Sequence, residues 1–152
     1  MEYKSCCFIG HNEVTFSPDF VEILKEEIEN LIVKQNYGVF RFGGVGEFDY
    51  KCWKLVNELK EKYPFIKTAL CLWSGKYPWW AKKRKYDSIE ELPLDYDYWY
   101  SRLYYRNTAM IDACDLSIFY VTNTENSGAY KAMKHAIKHK KNYINYGKIE
   151  EK

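Results

Sequence analysis

Five glycines fall where an apolar run hands over to a helical pattern: Gly10, Gly43, Gly44, Gly46 and Gly128. Glycine in such a turn lets backbone N–H groups approach an anion, and the helix start behind it adds a favourable dipole. One glycine-rich turn is a weak signal, because strand-to-helix turns use glycine for their own geometry. Three turns delivered to the same edge of a sheet point to a phosphate-bearing ligand. His11 follows the first turn directly and serves either as a ligand contact or as a polar residue bonding local backbone. The second turn, Gly43-Gly44-Val45-Gly46-Glu47-Phe48-Asp49, carries two carboxylates. These would repel a phosphate, so Glu47 and Asp49 are expected to face hydroxyls such as a ribose diol, or, for Asp49, to cap the following helix. The pattern is neither a Walker A loop nor a G-x-G-x-x-G fingerprint.

The elements that bring these turns together are readable from periodicity. Ser5 to Ile9 is a short apolar run of the kind found in buried strands. Ser17-Pro18 opens a helix whose apolar face is Phe20, Ile23, Leu24, Ile28, Leu31 and Ile32, with Gly38 as its stop. Val39–Phe42 is a second strand, about Asp49 to Lys62 a second helix, and Ile66 to Trp73 a third strand. A third helix spans Tyr98 to Cys114, then come strand Leu116–Val121, helix Ala129–His139 and strand Tyr143–Tyr146. This alternation predicts an α/β fold: a Rossmann-like, doubly wound, mostly parallel five-stranded sheet with helices on both faces. It forms one domain over 1–152 with an aromatic and charged insertion at about 75–97. Ligands of such sheets bind outside the carboxyl ends of the strands, near the point where strand order reverses.

Composition narrows the function classes. Lys+Arg 23 against Asp+Glu 21 gives a net charge of +2, so bulk charge does not argue for nucleic acid. No apolar run approaches the roughly 18 residues of a membrane helix, and the first ten residues do not read as a signal peptide. The five cysteines form no C-x-x-C pair and sit in apolar segments, which fits reduced thiols in a cytoplasmic protein. Cys6 and Cys7 should point to opposite faces of their strand. His135 and His139 are four apart among lysines, which reads as a solvated basic helix end, and no metal is expected. The excess of 15 Tyr and 5 Trp is concentrated in residues 77–105, where no Phe occurs. That segment suits a lid or a subunit contact better than a single-stranded nucleic-acid platform, because acids follow its basic run at once.

Four motifs in order carry a resemblance over about residues 4–146. Cys7-Phe8-Ile9-Gly10-His11 resembles the Phe-Thr-Gly-His-Arg opening of the SLOG superfamily, the Rossmann-like group of YpsA-type proteins, the DprA core and the LOG phosphoribohydrolases. Gly43 to Asp49 resembles its second-strand glycine turn. Arg106-Asn107 through Met110-Ile111-Asp112, then Cys114-Asp115-Leu116, resembles its Arg-Asn-x-x-Met-Val-Asp-x-x-Asp-Leu stretch. Ser127-Gly128-Ala129 stands where many members have Gly-Gly-Thr. The resemblance implies a nucleotide or nucleotide-derived ligand lined by Gly10, His11, Gly43, Gly44, Gly46, Arg106, Asn107, Ser127, Gly128 and Ala129. By the resemblance Arg106 would direct charge toward a phosphate; read from the residues alone, Asp112 and Asp115 are expected to pair with Arg102 or Arg106. The departures are specific. The Gly-Gly-x-Gly-Thr-x-x-Glu of LOG hydrolases, laid on Gly43, puts its catalytic Glu at Tyr50 and its Thr at Glu47, and the Arg of Gly-His-Arg is Asn12. Phe48-Asp49 places the turn nearer the YpsA-like branch.

The expected function is therefore binding of a nucleotide-type ligand at the C-terminal edge of the sheet, as a sensor or ligand-binding domain. The alternative is an N-glycosidic hydrolase or transferase on a nucleoside phosphate, with Glu47 or Asp49 at the ribosyl centre. A third reading is a single-stranded nucleic-acid or protein-interaction module using 77–105. A homodimer or higher homo-oligomer is expected, with no membrane and no nucleic acid as partner.

Overall fold

The computed structural model describes residues 2–11, 14–73, 84–92, 99–125 and 127–147. The parallel α/β architecture is present, with helices on both faces. Its elements run β1 (Lys4–Gly10), α1 (Pro18–Gln35), β2 (Tyr37–Phe42), α2 (Glu47–Lys62), β3 (Lys67–Trp73), β4 (Ser88–Leu92), α3 (Trp99–Ala113), β5 (Leu116–Tyr120), α4 (Gly128–Lys138) and β6 (Tyr143–Asn145). The sheet order is β4-β3-β2-β1-β5-β6 and every neighbouring pair is parallel. Strand order reverses between β1 and β5, so the switch point lies where β1 delivers Gly10 and His11.

The sheet holds one strand more than the five expected. Ser88–Leu92 was part of the aromatic and charged insertion, and it pairs with β3 at the sheet edge. Glu90 and Glu91 in its middle disguise it, yet charges suit an edge strand because they oppose further strand addition. Arg41 of β2 reaches Glu90 at 2.9 Å and fixes the edge from inside. Residues 74–83 and 93–98, which hold most of the insertion at about 75–97 and much of the segment expected as a lid or subunit contact, lie outside the described residues, as does Asn12.

Local chemistry explains most boundaries. Ser17 accepts the Phe20 N–H at 3.1 Å and Pro18 fills the first turn of α1. The helix stops at Asn36, left-handed at φ 65°, rather than at Gly38. Asn tolerates that conformation. Gly38 serves another purpose inside β2: a Cβ there would meet the Tyr3 ring at 2.6 Å.

Period-two alternation divides β1 between two cores. Cys6 and Phe8 pack with Leu24 and Ile28 of α1 and Cys52 and Val56 of α2. Cys7 and Ile9 pack with Met110 and Ile111 of α3 and Ala132, Met133 and Ala136 of α4. The adjacent thiols thus face opposite sides, as the strand pattern requires. All five cysteines are free.

Candidate functional site

A cavity of about 280 Å³ opens at the switch point. Its floor is the end of β1 and the following turn, Phe8, Ile9, Gly10 and His11. One wall comes from Gly43, Val45 and Asp49 of the β2–α2 turn. Leu103, Arg106, Asn107 and Met110 of α3 form another. Asn123, Glu125, Ser127, Gly128 and Ala129, between β5 and the first turn of α4, close the mouth. The volume is at the small end for ligand sites. Of the residues singled out in the sequence, Gly10, His11, Gly43, Asp49, Arg106, Asn107, Ser127, Gly128 and Ala129 line this cavity. Gly44, Gly46 and Glu47 do not.

Gly44 and Gly46 act one step back from the cavity. Their φ angles are 77° and 95°, left-handed values that other residues rarely adopt. Gly46 is the N-cap of α2 and offers no side-chain cap, and α2 begins at Glu47, two residues before the expected start. Asp49 therefore does not cap the helix. It is 3% exposed and turns back, its Oδ1 accepting the N–H groups of Gly43 at 3.0 Å and Gly44 at 3.1 Å. Arg84 lies 3.8 Å from its Oδ2. Burial pushes the Asp49 carboxyl up to about 6, against the pull of the two N–H groups and of Arg106 and Arg84. Glu47, two positions away, is exposed on another face of the helix.

Arg106 is a wall element. Its guanidinium is buried, donates from Nη1 to the Gly43 carbonyl at 2.9 Å and from Nη2 to Asn107 Oδ1 at 3.0 Å. It also lies flat on Gly43, where a Cβ would come within 2.6 Å of Nη2. That contact is why the second turn starts with glycine. Burial draws the guanidinium below its ordinary value while Asp49 opposes the shift. The acids considered as its partners are engaged elsewhere. Asp112 meets His135 at 3.0 Å and Asp115 accepts the Ser5 N–H at 2.8 Å. His135 is thereby occupied, and no group of three or more metal-ligating side chains occurs among the described residues.

His11 links two turns. Nε2 accepts the N–H of Thr122 at 2.8 Å and of Asn123 at 3.3 Å, so the neutral ring carries its proton on Nδ1, 3.4 Å from Ser127 Oγ. Ser127 Oγ in turn accepts the Tyr130 N–H at 3.0 Å as the N-cap of α4. Burial lowers the His11 pKa from 6.5. The bonds are therefore fully present above that value and are lost as pH falls and the ring protonates at Nε2. His11→Ala is expected to cost about 1–3 kcal/mol, the penalty for orphaned backbone donors, with faster hydrogen exchange at Thr122. Unchanged exchange there would remove the role.

Gly128 differs from the other turn glycines. A Cβ on it would meet no heavy atom within 4 Å, so the first turn of α4 faces open cavity. Glu125, at the mouth, has no counterpart in the motifs read from sequence; it sits in an irregular turn with no spacing to mark it. Among the described residues of 77–105, Leu103 lines the cavity, while Tyr104 and Tyr105 pack edge to face at 5.2 Å.

The fold is similar to the crystal structure of TM1055, a structural-genomics target. The TM-score is 0.60 over 93% of this chain and 72% of that one, at 14% sequence identity. At this identity the likeness is one of fold. No protein-family model matches the chain, and no curated protein matches it. No helix among the described residues is long and apolar enough to cross a membrane.

Proposed function

We propose that the cavity binds a nucleotide or nucleotide-derived ligand of mononucleotide size, as a sensor or ligand-binding domain of SLOG type. The carrying observation is the open first turn of α4 at Gly128, on the wall of a cavity at the switch point of a parallel sheet. A phosphate there meets the backbone N–H groups of Gly128 and Ala129 and the positive end of the α4 dipole. The buried cation Arg106 raises the potential of the opposite wall without needing to touch the ligand. Asn107, whose Oδ1 is taken by Arg106, keeps its amide N–H₂ for a ligand acceptor. The apolar surfaces of Ile9, Val45, Leu103 and Met110 suit the faces of a sugar and base.

Binding is favoured over cleavage by the placement of the carboxylates. Glu47 lies outside the cavity, and the Asp49 oxygen facing the turn is held by two backbone N–H groups. Neither is arranged as an accessible nucleophile at a ribosyl carbon.

Thermal shift and calorimetry against AMP, ADP, ADP-ribose and cyclic nucleotides test the reading. Gly128→Asp has room for its side chain, and its carboxylate suits a helix start, so the fold should be unharmed. Its negative charge is expected to weaken phosphate binding at least about tenfold. No stabilisation of the wild type by any nucleotide at millimolar concentration overturns the reading.

A further inference from the structure

Arg84 belongs to the basic run of the aromatic segment, not to the glycine turns, and does not line the cavity, yet it touches the cavity wall from behind. Three successive residues fix its position. Trp53 of α2 donates Nε1–H to the Lys85 carbonyl at 3.0 Å, and the Tyr86 ring packs against Trp53 and Phe42. Asp87 accepts the Thr68 N–H at 2.8 Å and pairs with Lys60. Arg84, held by this strap, stacks over the Tyr50 ring at 4.7 Å and meets Asp49 Oδ2 at 3.8 Å. From Asp49 the connection continues through the Gly43 and Gly44 N–H groups, then from the Gly43 carbonyl to Arg106 and on to Asn107.

We propose that Arg84 is a positioning residue for the cleft: paired with Asp49, it keeps the Gly43–Gly44 turn tied and Arg106 seated, the form that binds ligand. This rests on the nucleotide-binding reading of the same cavity. A carboxylate accepts two N–H bonds well, whereas a protonated carboxyl keeps less acceptor capacity and gains a donor that the turn cannot use. The ionised form of Asp49 is therefore the one that shapes the turn. The groups facing it are Arg84 and Tyr86 from the strap, Arg106 from α3, Cys52 of its own helix and the two turn N–H groups. Arg84 and Arg106 are the cations among them. Arg84 is the one borne by the strap, with its side chain 21% exposed, so the outer aromatic surface of α2 communicates with the cavity through it.

The experiment compares wild type, Arg84→Lys and Arg84→Met. Three readouts are used: the Asp49 carboxyl titration by NMR, amide exchange at Gly43 and Gly44, and AMP affinity from pH 5.5 to 8.5. Arg84→Met is expected to raise the Asp49 midpoint by about one unit, the shift a nearby cation commands, and to speed exchange at both glycines near pH 6. AMP affinity should fall about fivefold at pH 6 and return to the wild-type value at pH 8.5, where Asp49 is ionised in both proteins. Arg84→Lys should keep most of the wild-type behaviour. Arg84→Gln, the milder neutral replacement, carries the same expectations should the methionine variant not fold. An unmoved midpoint with unmoved exchange overturns the proposal, as does an affinity loss equal at all pH values. If wild type binds neither AMP nor any other nucleotide of the panel, the ligand reading fails, and titration and exchange still decide the role of Arg84.

Discussion

Arg106→Met is expected to lower the unfolding free energy by about 3–5 kcal/mol, on the order of two buried hydrogen bonds from a charged donor lost together. The methionine fills much of the same volume, so the loss is chemical rather than a cavity. It deprives the Gly43 carbonyl and Asn107 Oδ1 of their donors and leaves Asp49 in low dielectric with one fewer cation. For a chain of this length the midpoint of thermal unfolding should drop by roughly 10 °C. Arg106→Lys should recover only part, because one ammonium cannot serve both acceptors in the plane of a guanidinium fork. Urea and thermal unfolding measure both variants. A loss below about 1 kcal/mol would mean that the wall of the cavity stands without its cation.

The second large effect concerns pH. The folded chain holds the Asp49 proton more tightly than the unfolded chain, since burial raises the carboxyl to about 6 from 3.8. Stability from that proton is fully present below about pH 4 and is lost as pH rises through 6. The change is about 3 kcal/mol. Asp49→Asn cannot titrate. Between pH 4 and pH 7 its unfolding free energy should therefore gain about 2–2.5 kcal/mol relative to wild type, while other carboxylates cancel in the difference. Urea unfolding of both proteins at four pH values decides it, and parallel curves would return Asp49 to the ordinary carboxylate range. The fold and the cleft thus favour opposite states of one carboxyl. Neutral Asp49 is the more stable in the core, and ionised Asp49 is the better clamp on the glycine turn.

The architecture was legible because its signals are local. Ser17-Pro18 marks a helix start by itself, and the apolar runs of β1 and β5 mark buried strands without reference to anything distant. What escaped depends on contacts between residues far apart in the chain. Gly38 reads as a helix stop until Tyr3 is seen lying on it. Ser-Ile-Glu-Glu-Leu reads as a charged loop until Arg41, two strands away, supplies a partner for Glu90. At the site, the glycine turns were found by type and spacing and the Arg106-Asn107 pair through the resemblance, and nine of the positions singled out do line one cavity. Their roles were less readable. Arg106, expected to meet a phosphate or an acid, is seated on Gly43, a relation set by how closely α3 approaches the end of β2. Glu47 and Asp49 looked equivalent in sequence, but two positions on a helix differ by about 200°, so one is buried at the cavity and the other faces out.

The central place of β1 has a consequence for how the chain is made. One side of β1 pairs with β2, which follows within a few dozen residues, but the other side pairs with β5, Cys6 aligning with Leu116. During synthesis at roughly 5–20 residues per second, β1 waits roughly 6–20 s for that neighbour, with Cys7 and Ile9 uncovered until α4 also emerges. Until then a nascent chain carries a half-built sheet with an apolar face. The cavity, whose mouth is formed by Asn123, Glu125, Ser127, Gly128 and Ala129, cannot exist before those residues have emerged. A ligand of this protein can act only after residue 129 has emerged, and chaperone demand should be concentrated before residue 138 is exposed.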